Sequence, residues 1–155
     1  MMAAQKILLP YNFTALDQKA LAFTNSTFGH LEEVEITLFH AYTPLPEIEA
    51  ESTSVMGKLK GDLSYLSQKI MQLETELKAV EEKLLQGGFA KSCIHTVFKP
   101  RKKDIASEII EFVSNDKSSV IVINHKSGKA SRFFTGSVFS KVVSALKDTT
   151  VCIVS

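Results

Sequence analysis

The chain has 155 residues, 45% of them hydrophobic and 23% charged, and a formal net charge of +1. This composition excludes an intrinsically disordered chain, and the length predicts one domain over residues 1–155. A charge so close to zero gives no chain-wide basic field, so we expect neither a nucleic-acid nor a membrane partner. The first residues carry no secretory signal pattern, and no apolar run reaches the roughly 20 residues of a membrane span. We therefore expect a cytoplasmic protein.

Strand-like apolar runs alternate with segments of helical spacing along the chain. The five strand-like runs are 6–10, 34–40, 92–98, 120–124 and 150–154. The four segments with helical periodicity are 15–27, 54–86, 103–116 and 136–147. This alternation is typical of βαβ units around a parallel sheet. The run VIVIN is apolar on both faces, which favours helices above and below the sheet.

Right-handed crossovers favour a doubly wound α/β fold, a five-stranded parallel sheet of order 3-2-1-4-5 with helices on both faces. Strands 1 and 4 are then neighbours at the point where the winding reverses. Ligands of such sheets bind beyond the carboxyl ends of these two strands. The loops 10–14 and 124–137 are therefore expected to form a binding site.

Motifs near both ends of the chain point to a known family. Strand 1 runs into PYNFT at 10–14, which is similar to a Pro-x-Asp-x-Ser pattern. The last helical segment opens with GSV at 136–138, the end of a Gly-x2-Gly-x9-Gly-Ser/Thr loop. Together with ITLFHAYTPLP at strand 2, these fragments resemble the universal stress protein family over essentially the full length. The resemblance implies a homodimeric stress-response protein with a nucleotide-binding fold, for which ATP and AMP are candidate ligands.

The nucleotide loop departs from the family pattern at several positions. The two earlier glycines fall on Ile123 and Lys126, and the acidic residue of the first motif is Asn12. A loop that wraps phosphate needs glycines, because its N–H groups must turn inward and approach closely. We therefore expect weak ATP binding or none, and Asn12 brings no charge for a metal. Gly128 permits a turn in a shifted register, so a distorted but working ATP pocket is the alternative.

The predicted binding residues lie in the two loops, in strand 2 and at the start of the last helix. They are Pro10, Asn12, Thr14, Ala41, Asn124, His125, Lys126, Gly128, Gly136, Ser137 and Val138. The helix start is also a candidate site for a small anion, since helix N-termini present free backbone N–H groups. An ordinary helix cap is the alternative reading of Ser137.

Basic residues surround the predicted site. The stretch FKPRKK at 98–103 replaces the family's glycine-containing loop after strand 3. Lys126, Lys129 and Arg132 add further positive charge from the next loop. This basic rim predicts attraction of a small anion, and the alternative is that these side chains are solvated surface charges.

No catalytic constellation is present in the sequence. The GxxxxGK[ST] and GxGxxG loops, the GxSxG elbow and the HExxH helix are all absent. The four histidines lack the spacing of metal ligands. We predict no metal site and interpret the chain as a binding or signalling module rather than an enzyme.

The helical segment 54–86 is unusually long and carries one narrow apolar seam. The seam residues are Met56, Leu59, Leu63, Leu66, Ile70, Leu73, Leu77, Val80 and Leu84. A helix of about 30 residues spans about 45 Å, against about 17 Å for a five-residue strand, so one end should overhang the sheet. The overhang suggests a protein partner and a coiled-coil adaptor role. The alternative is that the seam only covers its own sheet.

The last strand, 150–154, is expected at an edge of the sheet. It is apolar from Val151 to Val154 and lacks the lysines and prolines that usually protect an edge. We predict a homodimer in which two copies pair this strand, as the resemblance also implies. If the chain's own N-terminal residues or last helix cover the edge, the protein is a monomer.

Overall fold

The computed structural model describes residues 5–46, 53–125 and 136–155. Its strands are β1 (Gln5–Pro10), β2 (Val34–Tyr42), β3 (Ile94–Pro100), β4 (Val120–Asn124) and β5 (Thr150–Val154). Its α-helices are α1 (Ala15–Phe28), α2 (Thr53–Gln86), α3 (Ile105–Asp116) and α4 (Gly136–Ala145). A short 3₁₀ turn, Lys91–Cys93, precedes β3 and delays its start relative to the prediction.

The five strands form one parallel sheet of order β3-β2-β1-β4-β5. The predicted fold class and strand order are therefore confirmed. β1 pairs with β2 on one side and with β4 on the other, where Ile7 is opposite Val120. The winding reverses between β1 and β4, so a crevice is expected at their carboxyl ends.

The sheet is covered on both faces, and each face has its own apolar core. Leu77 and Leu84 of α2 pack in one core with Val120 and Val122 of β4. The alternate residues of β4, Ile121 and Ile123, pack in the other core with Val142 of α4. This two-sided burial is the physical reason that β4 carries four consecutive apolar residues.

Capping residues fix where the helices begin. Thr14 caps α1, and its hydroxyl accepts a hydrogen bond from the backbone N–H of Asp17. Asp104 caps α3 by accepting from the N–H of Ser107 at 2.9 Å, so α3 begins two residues later than predicted. An Asp or Thr at this position satisfies one of the free N–H groups of the first turn.

Helix α2 is half covered by the sheet. Its last third is buried through Leu77, Val80 and Leu84. Earlier in the helix, Tyr65 and Met71 are 62% and 64% exposed. Among the seam residues from 60 onward, Leu63, Ile70 and Leu73 are half-buried and Leu66 is exposed. Within this part of the helix, the seam is therefore fully buried only toward its carboxyl end, as expected of a helix longer than its strands.

Across the ranges that the structure describes, no helix has both the length and the apolar character of a membrane span.

Candidate functional site

A cavity of about 270 Å³ opens at the carboxyl ends of β1, β2 and β4. Its walls are mainly apolar and come from the sheet, from α3 and from α4. The apolar wall residues are Phe39, Ala41, Ile105, Ile109, Ile123, Val138, Phe139 and Val142. The polar side chains lie on the side of the β1–α1 loop and the end of β4, namely Tyr11, Asn12, Thr14, Asp17, His40 and Asn124.

Six of the predicted binding residues line this cavity. They are Pro10, Asn12, Thr14, Ala41, Asn124 and Val138. Gly136 and Ser137 are the first two residues of α4, in the first turn of the helix that supplies Val138. Lys126 and Gly128 lie outside the described residues.

His125 follows β4 but is not part of the cavity wall. Its ring packs against Phe139, with 4.6 Å between the ring centroids. Its backbone N–H donates to the carbonyl of Val154 at 2.8 Å, which continues the pairing between β4 and β5. His125 therefore contacts Phe139, a residue of the cavity wall, without lining the cavity itself.

Sequence reasoning did not identify Asp17, the one acidic side chain among the described residues of the cavity wall. Asp17 is only 2% exposed and lies in the first turn of α1. Its Oδ2 accepts from the backbone N–H groups of Asn12 and Thr14, both at 3.0 Å, and from the Thr14 hydroxyl at 2.8 Å. Its Oδ1 accepts from the side-chain amide of Asn124. The Thr-x-x-Asp spacing of a capping box was the available signal for Asp17.

His40, at the end of β2, is a buried neutral imidazole in the same wall. Burial lowers its pKa below the ordinary 6.5, against smaller opposing effects of the Tyr11 carbonyl and the Asp17 carboxylate. Because a carbonyl only accepts, His40 donates from Nδ1 to the Tyr11 oxygen at 2.8 Å. Burial, followed by the charges of Asp17 and Glu76, raises the pKa of the Tyr11 hydroxyl, so it too is neutral.

The β1–α1 loop is held by aromatic contacts. Phe13 has a φ of 62°, in the left-handed region that bulky residues rarely adopt. Its ring makes edge contacts with Tyr11 and His40, at centroid distances of 5.2 and 5.1 Å. These contacts stabilise an unfavourable backbone angle directly beside the cavity.

The basic segment after β3 is paired with acidic groups of α3. Lys99 contacts the buried carboxylate of Glu108 at 2.8 Å, and Lys103 contacts Glu111 at 2.9 Å. The hydrogen bond from Lys99 is the main cause that lowers the pKa of Glu108. The backbone N–H groups of Lys102 and Lys103 also donate to Glu108, which fixes the loop.

A third pair links Lys141 of α4 to Asp104 of α3 at 3.1 Å. The N–H of Ser107, followed by Lys141, lowers the pKa of Asp104 to about 2. Within the described part of the rim, much of the positive charge is thus balanced locally. In those residues no cluster of three or more His, Cys, Asp or Glu side chains is placed to hold a metal ion.

Comparison with solved structures shows which known proteins share this fold. No family model matches the chain, and no curated protein sequence matches it. A universal stress protein solved in complex with cAMP superposes with a TM-score of 0.66 at 17% identity, covering 99% of this chain and 98% of that one. The universal stress protein from Archaeoglobus fulgidus in complex with dAMP gives 0.65 at 15% identity, with complete coverage of both chains (100%).

A plant structure shows the same likeness at lower similarity. A universal stress protein family protein from Arabidopsis thaliana with AMP bound gives a TM-score of 0.56 at 13% identity, covering 97% of this chain and 90% of that one. The resemblance inferred from the motifs is therefore confirmed at the level of the fold. This chain has the fold of the universal stress proteins over nearly its whole length.

Proposed function

We propose that this protein is a homodimeric stress-response module that binds a small adenine nucleotide such as AMP in the described cavity, and binds ATP weakly or not at all. The observation that carries the proposal is the cavity at the carboxyl ends of β1 and β4. Three structures of the same fold hold cAMP, dAMP and AMP. Ligands of doubly wound sheets occupy this crevice.

The size and walls of the cavity support a small ligand. Its volume of about 270 Å³ is close to the lower limit of ~300–1,000 Å³ for small-molecule pockets. The apolar part of the wall that includes Ala41 of β2 and Ile105 and Ile109 of α3 suits a flat base. The polar groups near β1 and β4 suit the hydroxyls of a sugar.

Two observations support weak ATP binding. Ile123, at the position of a family glycine, is 8% exposed in β4, and its side chain fills the cavity wall. Three lysines of the rim form ion pairs with carboxylates, namely Lys99, Lys103 and Lys141. Each ion pair must break before its lysine can bind a triphosphate. We therefore expect calorimetry to give an affinity for ATP at least about tenfold below that for AMP, a difference of ~1.4 kcal/mol.

A blocking variant tests the location of the site. Ala41→Phe enlarges a side chain of the cavity wall and should abolish AMP binding measured by calorimetry. Ala145→Phe, an exposed position at the end of α4 outside the cavity wall, is the matched control and should bind AMP like the wild type. Equal AMP affinity of both variants would place the site elsewhere.

The dimer is proposed to form through β5. In the described residues β5 pairs only with β4, so its outer edge is open. Ile153 on this strand is 51% exposed. The opposite edge strand, β3, carries Lys99 and Pro100 near its end, and such residues discourage pairing. The contrast favours β5 as the edge that meets a second copy.

A role for α2 in binding a protein partner is a second candidate function. Tyr65, Leu66 and Met71 are exposed on the half of α2 that projects beyond the sheet. Tyr65→Ser with Met71→Ser should leave AMP binding and the oligomeric state unchanged if these side chains serve only a partner. Loss of the dimer in this variant, measured by light scattering, would instead assign them to self-association.

A further inference from the structure

The carboxylate of Asp17 uses the free donors of the β1–α1 loop. Its Oδ2 takes the N–H groups of Asn12 and Thr14 and the Thr14 hydroxyl. These donors would otherwise be available to a ligand at the start of α1. The backbone N–H groups of Asn12 and Thr14 are therefore already used within the protein on this side of the cavity.

The other oxygen of Asp17 determines which way the amide of Asn124 faces. An ionised carboxylate can only accept, so the NH₂ group of Asn124 must point toward Asp17 Oδ1. The carbonyl oxygen of the same amide then faces away from Asp17 and can accept from a ligand, beside the second N–H of the NH₂ group. Both residues line the cavity. Asp17 thus acts as a positioning residue that fixes which side of the Asn124 amide carries the acceptor.

The position of Asn124 indicates which part of the ligand it meets. The apolar part of the wall that suits a base includes Ala41 of β2 and Ile109 of α3. A phosphate is favoured near the start of α4, where the helix dipole is positive. The ribose that joins base and phosphate then lies over the ends of β1 and β4, beside Asn124.

We propose that Asn124, held by Asp17, accepts a hydrogen bond from a ribose hydroxyl of the bound nucleotide. This inference rests on the proposed adenine-nucleotide site. A ribose hydroxyl can donate a hydrogen bond to a carbonyl oxygen. A deoxyribose lacks the hydroxyl at its 2′ or 3′ position and cannot make that bond. The cavity should therefore prefer a ribonucleotide to one of its deoxy analogues.

Calorimetry with AMP, 2′-deoxy-AMP and 3′-deoxy-AMP tests the acceptor role. The wild type should bind one deoxy analogue about tenfold more weakly than AMP, the size of one well-made hydrogen bond. In Asn124→Ala, AMP and that analogue should bind equally, because the acceptor is gone. Asn124→Ser, which is also too short to reach the ligand in the same way, provides a second variant. Asn115→Ala, on the exposed side of α3, is the matched control and should keep the wild-type ratio.

Asp17→Ser tests the positioning role through the same affinity ratio. The shorter side chain cannot hold the amide of Asn124. The ratio of the affinity for AMP to that for the weaker deoxy analogue should therefore fall toward one. A purely structural role of Asp17 would weaken all three ligands equally and leave the ratio unchanged, which would overturn its assignment. Asp104→Ser changes a helix-start carboxylate outside the cavity and should keep the ratio.

The outcomes separate this inference from the proposed function. Equal binding of AMP and both deoxy analogues by the wild type would overturn the role of Asn124 while the nucleotide site stands. Failure of all three nucleotides to bind would overturn the nucleotide site and the inference together.

Discussion

Asp17 shows how hydrogen bonds from neutral donors stabilise a buried charge, since none of the ion pairs among the described residues involves it. Its two oxygens receive four hydrogen bonds, from Asn12, from both polar groups of Thr14 and from Asn124. A buried carboxylate is costly unless such donors replace its water. The arrangement ties the loop after β1 to the end of β4, the two elements that frame the cavity. Helix capping and the proposed ligand recognition would therefore depend on the same side chain.

His40 predicts a pH dependence of stability near neutrality. Burial lowers the pKa of His40 in the folded chain. Below pH 6.5 this imidazole therefore binds a proton more readily in the unfolded chain than in the folded chain. The free energy of unfolding should therefore fall as the pH drops below 6.5 and stop falling once the folded-state pKa is passed. Urea unfolding between pH 7.5 and about 5 measures this change.

The variant His40→Asn should flatten that pH dependence. Its amide can still donate to the Tyr11 carbonyl but does not titrate. His30→Asn is the control, because His30 is exposed, and this variant should behave like the wild type. The pKa values of Asp104, Glu108 and Glu111 are also lowered, from ordinary values of at most 4.5. These carboxylates therefore change the free energy of unfolding only below about pH 4.5, outside the range from pH 7.5 to about 5. An unchanged slope in His40→Asn would contradict the assignment.

At the scale of elements, the ends of α1 and α2 meet at glycines. A Cβ on Gly29 would lie 2.2 Å from the carbonyl oxygen of Gly87, which is backbone and has little freedom to move. Gly29→Ala should therefore destabilise the protein by about 1–3 kcal/mol through overpacking. The midpoint of urea unfolding measures the loss, and a wild-type midpoint would show that the two helix ends can separate freely.

Gly61, in the projecting half of α2, predicts the opposite effect. A Cβ at this position meets nothing within 4 Å. Gly61→Ala should raise helix stability by up to about 1 kcal/mol, because glycine is the costlier residue in a helix interior. Circular dichroism during thermal unfolding measures this gain. A loss of helical signal would indicate that Gly61 fits against something that alanine displaces.

The oligomeric state is the main prediction for the whole molecule. Two copies that pair β5 antiparallel across a two-fold axis would join two sheets and cover Ile153. Light scattering at micromolar concentration should report about twice the 17.1 kDa of one chain. Ile153→Lys should shift the mass toward one chain by placing a charge in the seam.

Leu31→Lys is the matched control for the dimer. Leu31 is 54% exposed, comparable with Ile153, but precedes β2 at the other end of the strands from the cavity. This variant should remain a dimer. A wild-type mass of one chain that does not change on concentration would contradict the β5 dimer.

Much of the fold follows from local patterns in the sequence. The apolar runs and capping residues predict the strands and helices, and the handedness of the crossovers predicts the strand order. The cavity was harder to predict, because a wall residue such as Ile109 looks like any apolar residue of an amphipathic helix. Asp17 was missed for a related reason. Its spacing after Thr14 indicates a helix cap, whereas its contact with Asn124 spans 107 positions and exists only in the folded sheet.

The ion pairs of the rim were equally hidden from sequence reasoning. Lys99 and Glu108 are nine residues apart in the chain, and only the turn between β3 and α3 brings them into contact. In the stretch 98–103, a count of basic residues therefore exceeds the free positive charge, because Lys99 and Lys103 are paired, whereas Lys126, Lys129 and Arg132 lie outside the described residues. Charge patterns predict a potential reliably only when the partners of each charge are known.

A crystal of the wild-type protein grown with saturating AMP tests the central claim most directly. We expect density for one nucleotide per chain, with the base against Ala41, the ribose beside Asn124 and the phosphate toward the start of α4. An empty cavity at saturating AMP, or a nucleotide bound elsewhere on the molecule, would contradict it.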